Sequence, residues 1–239
     1  MIEARPLVGL HEFADCVHLQ RIIWGWGDLD LLPVRFFVVA RDIGGQILGA
    51  FDDGFLCGFC LAIPGVKADG SVYLHSHMLG VLPEYRNAGA GLLLKHAQRD
   101  DALARGIRLI EWTFDPLELK NAYFNIHKLG AVVRRYLPNH YGMTTSRLQA
   151  GLPTDRCLAE WRLDEQRLSS TREAGPTLAR IPVPSDIERL KRTDPEEAGR
   201  IQEQVARMFH QYLSSGLAVT GFERSSDMGT YLFSEWPSN

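Results

Sequence analysis

The chain has 239 residues, 45% of them apolar and 23% charged, enough for a sizeable core in one large domain or one domain with an appendage. Its net charge of −3 excludes a global basic field for nucleic acid or anionic lipid. The opening stretch "MIEARPLVGLHEF" has acids and a proline where a secretory leader needs a basic end, and no run of about 18 apolar residues appears. A cytoplasmic protein without a membrane span is therefore expected.

"IEARPL" reads as a short strand, and residues 10–24 as a helix with Phe13, Val17, Ile22 and Ile23 as apolar positions. "WGWGDLDLLP" reads as a loop. "FFVVARD" and "QILGAFDD" predict a hairpin around Gly44-Gly45. "GFLCGFCLAIPG" and "VYLHSHMLGV" read as the next strands. Cys57 and Cys60 form a single CxxC inside the former. A zinc site needs two further ligands and a redox motif should open a helix, so buried thiols and no metal are expected.

Residues 89–105 predict a helix with Leu93, Ala97 and Ala104 on one face and Gly106 as its stop. "RLIEWTF" is a strand. Asp115, Pro116 and Glu118 read as the cap of a helix whose positions Leu119, Ala122, Tyr123, Ile126 and Leu129 run to Gly130. "AVVRRYL" and "DRCLAEWRL" are strands. "DEQRLSSTREAGPTLARIPVPSD" is polar, carries three prolines and reads as a connecting loop. Asp194 and Pro195 then open an amphipathic helix with Ala198, Ile201, Val205, Met208, Phe209 and Tyr212 on its apolar face, and "LAVTGFER" and "GTYLF" follow as strands. The division expected is a core of residues 1–165 and an extension of residues 166–239 packed on it.

The segment richest in chemistry is "VYLHSHMLGVLPEYRNAGAGLLLKHAQ". Strand, glycine turn and helix follow one another. A helix N-terminus exposes unpaired N–H groups and partial positive charge, and glycines let a bulky anion approach them. No Lys-Ser/Thr follows, which excludes a Walker A loop, and the third glycine of a dinucleotide fingerprint is missing. The bland alternative is a turn that only packs the helix on the sheet.

Read as Arg86-Asn87-Ala88-Gly89-Ala90-Gly91 behind Val81-Leu82-Pro83-Glu84-Tyr85, this segment resembles the signature of the GNAT acetyltransferase superfamily. The resemblance implies an α/β fold with a mixed, mostly antiparallel central sheet flanked by helices, here with a C-terminal helix-plus-strand extension. It implies an acyl-CoA-dependent N-acyltransferase that moves an acetyl group from acetyl-CoA to a primary amine of a small molecule such as an amino acid. Loop amides from Arg86 to Gly91 would hold the pyrophosphate. Backbone groups at Leu79, Gly80 and Val81 would hold the pantetheine arm, and Asn121 and Asn125 are further candidates for coenzyme contacts. Homodimers are common in the superfamily. A non-catalytic acyl-CoA-binding module is the alternative.

Strand alternation puts His75 and His77 on one face, together with Leu79 and Val81. They stand eleven and nine residues before Arg86, offsets at which the resemblance places a general base, and the arylalkylamine N-acetyltransferases have a similar His-x-His. An alkylammonium is only about 0.04% neutral at pH 7, so a base is needed, and imidazole is suited to the task. Glu111 on the adjacent strand competes for that role, and core histidines are the structural alternative. The superfamily's helix tyrosine, which protonates the leaving thiolate, would fall at Ile126; among Tyr123, Tyr136, His140 and Tyr141, Tyr141 is the first choice as acid.

The stretch "EWTFDPLELKNAYFNIHKLGAVVRRYLPNHYG" also looks like a longer GNAT group, some of whose members are tied to N-succinyl-amino-acid metabolism. Succinyl-CoA is then a second candidate donor, with Arg21, Arg134 or Arg135 for its carboxylate. The acceptor site is expected between "WGWGDLDLLP", with Trp24, Trp26, Asp28 and Asp30, and "YGMTTSRLQAGLPTDR".

Overall fold

Alternating apolar residues build a sheet whose two faces are sealed by different helices. The computed structural model of the chain describes residues 1–142, 151–163 and 175–236. The expected acceptor-side residues 143–150 and residues 164–174 of the expected connecting loop lie outside the described residues. Two compact units are present, Met1–Glu111 and Trp112–Asn239.

In the first unit β1 (Ile2–Pro6), β2 (Gln46–Asp52), β3 (Phe55–Val66) and β4 (Val72–Val81) pair antiparallel in that order. The first residues of β5 (Leu109–Phe114) pair parallel to β4, with Leu74 opposite Ile110 and His75 opposite Glu111. One face packs Ile47, Phe59, Leu61 and Met78 against α1 (Leu10–Trp24) and α2 (Val34–Asp42). The other packs Leu48, Cys60, Leu79 and Val81 against α3 (Ala90–Ala104). Cys57 and Cys60 are buried thiols within β3, and burial pushes Cys60 up to about 12.

The predicted strand "FFVVARD" is instead α2. Pro33 precedes its first turn, Phe37 and Ala40 are buried one turn apart, and Gly45 donates to the Ala40 carbonyl at 2.7 Å. Gly44-Gly45 therefore ends a helix. The hairpin lies one strand later, where Asp53 (φ 47°) and Gly54 (φ 84°) supply the two left-handed residues of a tight turn between β2 and β3. In α3 the buried ridge is Ala90, Leu94, Gln98 and Ala102 with Lys95, whereas Leu93 and Ala97 are half-buried and Ala104 is exposed. Two buried polar residues on that ridge are why apolar spacing alone misplaces it.

In the second unit β7 (Arg156–Arg162), β6 (Val132–Leu137), β9 (Leu217–Arg224), β10 (Met228–Glu235) and β8 (Ala179–Pro184) lie in that order, antiparallel throughout. The sequence predicts a loop over β8 because of its prolines. Pro182 and Pro184 share one alternation and Ile181 and Val183, both fully buried, the other; among the described residues the strand pairs only with β10, and an edge strand tolerates the missing N–H groups of proline.

The helix expected from Pro116 starts later. Asp115 accepts the Leu117 amide at 2.8 Å and pairs with buried Lys191 at 3.0 Å. The chain then forms α4 (Leu119–Ala122), which continues as a π-helical turn over Tyr123–Lys128 and stops at Gly130, φ 71°. A short helix α5 (Ile187–Thr193), in a stretch for which the sequence reading proposes no element, supplies Lys191. Helix α6 (Pro195–Ser214) is capped by Asp194, which accepts the Glu197 amide at 3.1 Å, and buries Ala198, Val205 and Phe209. Phe209 meets Tyr231 and Phe233 of β10 edge-on, at 5.1 and 5.5 Å between ring centres. Among the described residues no helix is long and apolar enough to cross a membrane.

Candidate active site

The glycine turn folds as a strand-to-helix corner. Pro83–Tyr85 make one 3-10 turn after β4, and the chain reverses through Asn87 (φ 67°) and Gly89 (φ 89°) into α3. Both residues occupy the left-handed region, which glycine and asparagine tolerate best. Ala90 is buried under the corner, while Arg86 to Gly89 are exposed. The first amides of α3, at Ala90, Gly91 and Leu92, have no carbonyl one turn back to bond, and among the described residues no side chain caps the helix. The corner presents N–H groups and the positive end of a fifteen-residue helix to solvent. Arg86 Nε lies 3.5 Å from the Val81 carbonyl.

Strand β4 leads into that corner. It pairs with β3 along its whole length but with β5 only at Leu74 and His75. Among the described residues its β5-side edge from Ser76 to Val81 has no ladder partner, which leaves backbone donors and acceptors at the level of Leu79, Gly80 and Val81.

The pairing of β3 with β4 slips by one residue. Leu61 stands opposite Met78 and Ala62 opposite Ser76, so His77 is the extra residue of a bulge. The bulge corrects the sequence reading of this strand. His75 and His77 do share a face, with ring centres 6.1 Å apart, and Phe36 of α2 lies 6.3 Å from His77. Leu79 and Val81 lie on the other face, against α3, as does Ser76, which accepts from Lys95 Nζ at 2.9 Å. Met78 and Gly80 turn toward α1, where the Trp24 ring leaves no room for a Cβ on Gly80. A uniform two-residue period does not survive an inserted residue. Burial lowers the His77 imidazole below its ordinary value, while the ring keeps solvent access.

Glu111 is buried, and both its oxygens accept from Lys67 Nζ, at 2.7 and 2.6 Å. The sequence reading passed over Lys67, which nothing marks as special until the fold brings it to β5. Trp24 and Trp26 stack at 4.9 Å, and Trp24 meets Phe59 edge-on at 6.0 Å. Asp28 pairs with Arg21 at 2.6 Å. The loop that carries them is pinned by Gln20, which exchanges two hydrogen bonds with the Leu32 backbone at 2.8 and 3.1 Å.

Asn121, Asn125 and Tyr141 belong to the second unit. Asn121 is exposed, and Asn125 is buried within the π-helical turn. Ile126 is a core residue. Tyr141 is exposed, with its hydroxyl 2.8 Å from Thr113 Oγ1 and its amide donating to Thr154 Oγ1 at 2.9 Å. Tyr136 donates to Asp155 at 2.6 Å, and burial together with that carboxylate pushes its phenol far above the ordinary value. Arg134 binds Glu160 through Nε and Nη2 at 2.6–3.2 Å.

No protein-family model matches the chain, and no curated protein matches it in sequence. Solved structures do match its fold. The yncA protein of Salmonella typhimurium, solved with its cofactor acetyl-CoA, is 17% identical, with 75% of this chain and 99% of that chain covered and a TM-score of 0.55. The ribosomal-protein-S18-alanine N-acetyltransferase of Escherichia coli is 14% identical, with 74% and 100% covered and a TM-score of 0.53. Aminoglycoside 6'-acetyltransferase type Ii is 20% identical, with 67% and 97% covered and a TM-score of 0.53. Others carry the GNAT name in their descriptions. The chain has the mixed α/β fold of the GNAT acetyltransferases, as its glycine-turn signature implies.

Proposed function

We propose that the chain is an acyl-CoA-dependent N-acyltransferase acting on a primary amine. The observation that carries this reading is the corner itself: the unpaired edge of β4 runs into two left-handed residues and the open N-terminus of α3. Pyrophosphate is dianionic and bulky, and such a corner offers amides, positive potential and no side chain in the way. The free edge at Leu79, Gly80 and Val81 suits the amides of a pantetheine arm and places donors beside the thioester carbonyl.

Proton removal falls to His75 and His77. The ammonium gives one proton to an imidazole, the neutral amine attacks the thioester carbon, the C–S bond breaks, and the second amine proton ends on the departing thiolate to give the thiol of coenzyme A. His77 is aimed outward by the bulge, and its lowered affinity for protons keeps it neutral and receptive at pH 7. Glu111 is the weaker candidate because a lysine holds both of its oxygens. Tyr141 is the assigned acid, since it is the exposed tyrosine whereas Tyr136 is locked to Asp155. A thiolate also leaves tolerably without help, its ordinary value being about 8.5. Of the two asparagines, exposed Asn121 rather than buried Asn125 is the proposed coenzyme contact.

Acetyl is the favoured acyl group. Of the three arginines suited to a succinyl carboxylate, Arg21 is paired with Asp28 and Arg134 with Glu160, while Arg135 is exposed on β6. The fold serves acceptors as unlike as aminoglycosides and a ribosomal-protein alanine in other proteins. For this chain a small amine such as an amino acid, held near the Trp24–Trp26 stack, is the proposed acceptor.

The test is the double variant His75→Ala/His77→Ala, assayed with acetyl-CoA against a panel of primary amines. Lost turnover with coenzyme affinity retained supports catalysis by the pair. Absence of product from the wild-type protein with every amine, with coenzyme still bound, turns the reading to a non-catalytic acyl-CoA-binding module, which buried Ile126 at the usual acid position would then explain.

A further inference from the structure

Glu111 poses a problem for the histidine next to it. It stands directly opposite His75 on the parallel neighbour strand, and paired residues of parallel strands project to the same side of the sheet. The carboxylate is 3% exposed, so its charge must be compensated by something close. A buried carboxylate beside an imidazole is well known to hold the imidazole in its protonated form, since the pair of charges neutralises itself. A histidine so held has no free electron pair and cannot take a proton from anything.

Lys67 removes that outcome. It sits just past the end of β3, and its Nζ reaches back to both Glu111 oxygens at 2.7 and 2.6 Å. The same ammonium lies 4.2 Å from the centre of the Tyr73 ring, a cation–π contact that fixes its position from a second side. Tyr73 in turn packs over Gly65, where any Cβ would come within 2.5 Å of the ring. Glu111 thus meets a full positive charge delivered by a side chain that is itself clamped.

We propose that Lys67 is a positioning residue: by neutralising Glu111 it keeps His75 uncharged, and so able to accept the proton of the incoming ammonium. This rests on the reading of the histidine pair as proton acceptor. Several charged and titratable groups surround His75 among the described residues. Glu111 comes from β5, Tyr73 and His77 from β4, and Lys67 from beyond β3, whereas Ile63 stands opposite it on β3. On the same face α1 and α2 contribute the Trp24 and Phe36 rings, and Lys95 of α3 lies on the opposite face with Ser76. Lys67 is a cation bound to both Glu111 oxygens.

The experiment is an NMR titration of the full chain with 15N-labelled histidine, comparing wild type, Lys67→Met, Lys67→Arg and Lys67→Met/Glu111→Gln. Acetyl-CoA binding is measured calorimetrically on the same samples. The expected result is a His75 titration midpoint that rises by one pH unit or more in Lys67→Met. It should stay within about 0.3 unit of wild type in Lys67→Arg and return there in the double variant, which keeps the test intact should the single Met variant fold poorly. An unmoved midpoint in folded Lys67→Met, or a double variant displaced as far as the single one, overturns the proposal. These outcomes are independent of turnover. Failure of every sample to bind coenzyme would instead strike the acyltransferase reading and leave the titration result standing.

Discussion

Two side chains in the first unit have proton affinities that should govern behaviour in solution. His77 is held below its ordinary 6.5 by burial. The acid limb of kcat/KM is therefore expected below pH 6.5, and His77→Ala should lose roughly 10²–10⁴-fold in kcat/KM with coenzyme affinity unchanged. An acid limb well above 6.5 would mean that another group takes the proton. Lys95 is the second. It is buried under α3 with Ser76 and Gln98 as partners at 2.9 and 3.0 Å, and burial pulls it from 10.5 down to about 7. Below about pH 7 the amine is charged whether the chain is folded or not, and the full cost of burying that charge is present. Between about 7 and 10.5 the unfolded chain binds more protons than the folded one, so stability rises with pH, by at most about 1.4 kcal/mol per unit. Denaturant melts across that range should show the rise in wild type and lose it in Lys95→Met. Apolar patterning could locate neither effect. His77 was legible as a candidate from its strand and offset, but the bulge that aims it was not, because a one-residue insertion leaves no trace in residue types. Nothing in the sequence singles out Lys95, because apolar spacing does not mark a buried polar ridge.

Among the elements, the β4–α3 corner was the most legible because its chemistry is local. Glycine and asparagine at the left-handed positions and a helix start directly behind them are properties of consecutive residues. Gly89→Ala should cost about 1–2 kcal/mol of stability, from φ 89° alone, since the space around it is open. The same change should weaken acetyl-CoA binding as the corner relaxes; full affinity in that variant would detach the corner from the ligand. The cap of α6 was equally legible, and Asp194→Ala should lower stability by about 1 kcal/mol in a denaturant melt, with no effect on coenzyme affinity. Elements decided by distant partners were not legible. Strand β8 exists because β10 supplies a ladder on its one paired side, which makes its prolines harmless. Helix α2 has a strand-like composition, and only its docking on the β2–β3 face through Phe37 selects the helical form.

At the scale of the whole molecule the cysteines are structural rather than reactive. Cys16, Cys57, Cys60 and Cys157 are all buried, and burial raises the thiol of each. A thiol reagent should find them only as fast as the chain opens. The fold was legible because one short signature belongs to it, whereas the acceptor was not, because acceptor contacts come from loops with no shared pattern, and residues 143–150 lie outside the described ones. The central claim is that the corner at residues 86–91 binds an acyl-CoA. Calorimetric titration of the purified chain with acetyl-CoA, and in parallel with succinyl-CoA, tests it without knowledge of the acceptor. Micromolar binding is predicted, tighter for acetyl-CoA by tenfold, or about 1.4 kcal/mol. No heat with either thioester, and no competition by free coenzyme A, would make the corner a packing device and contradict the account.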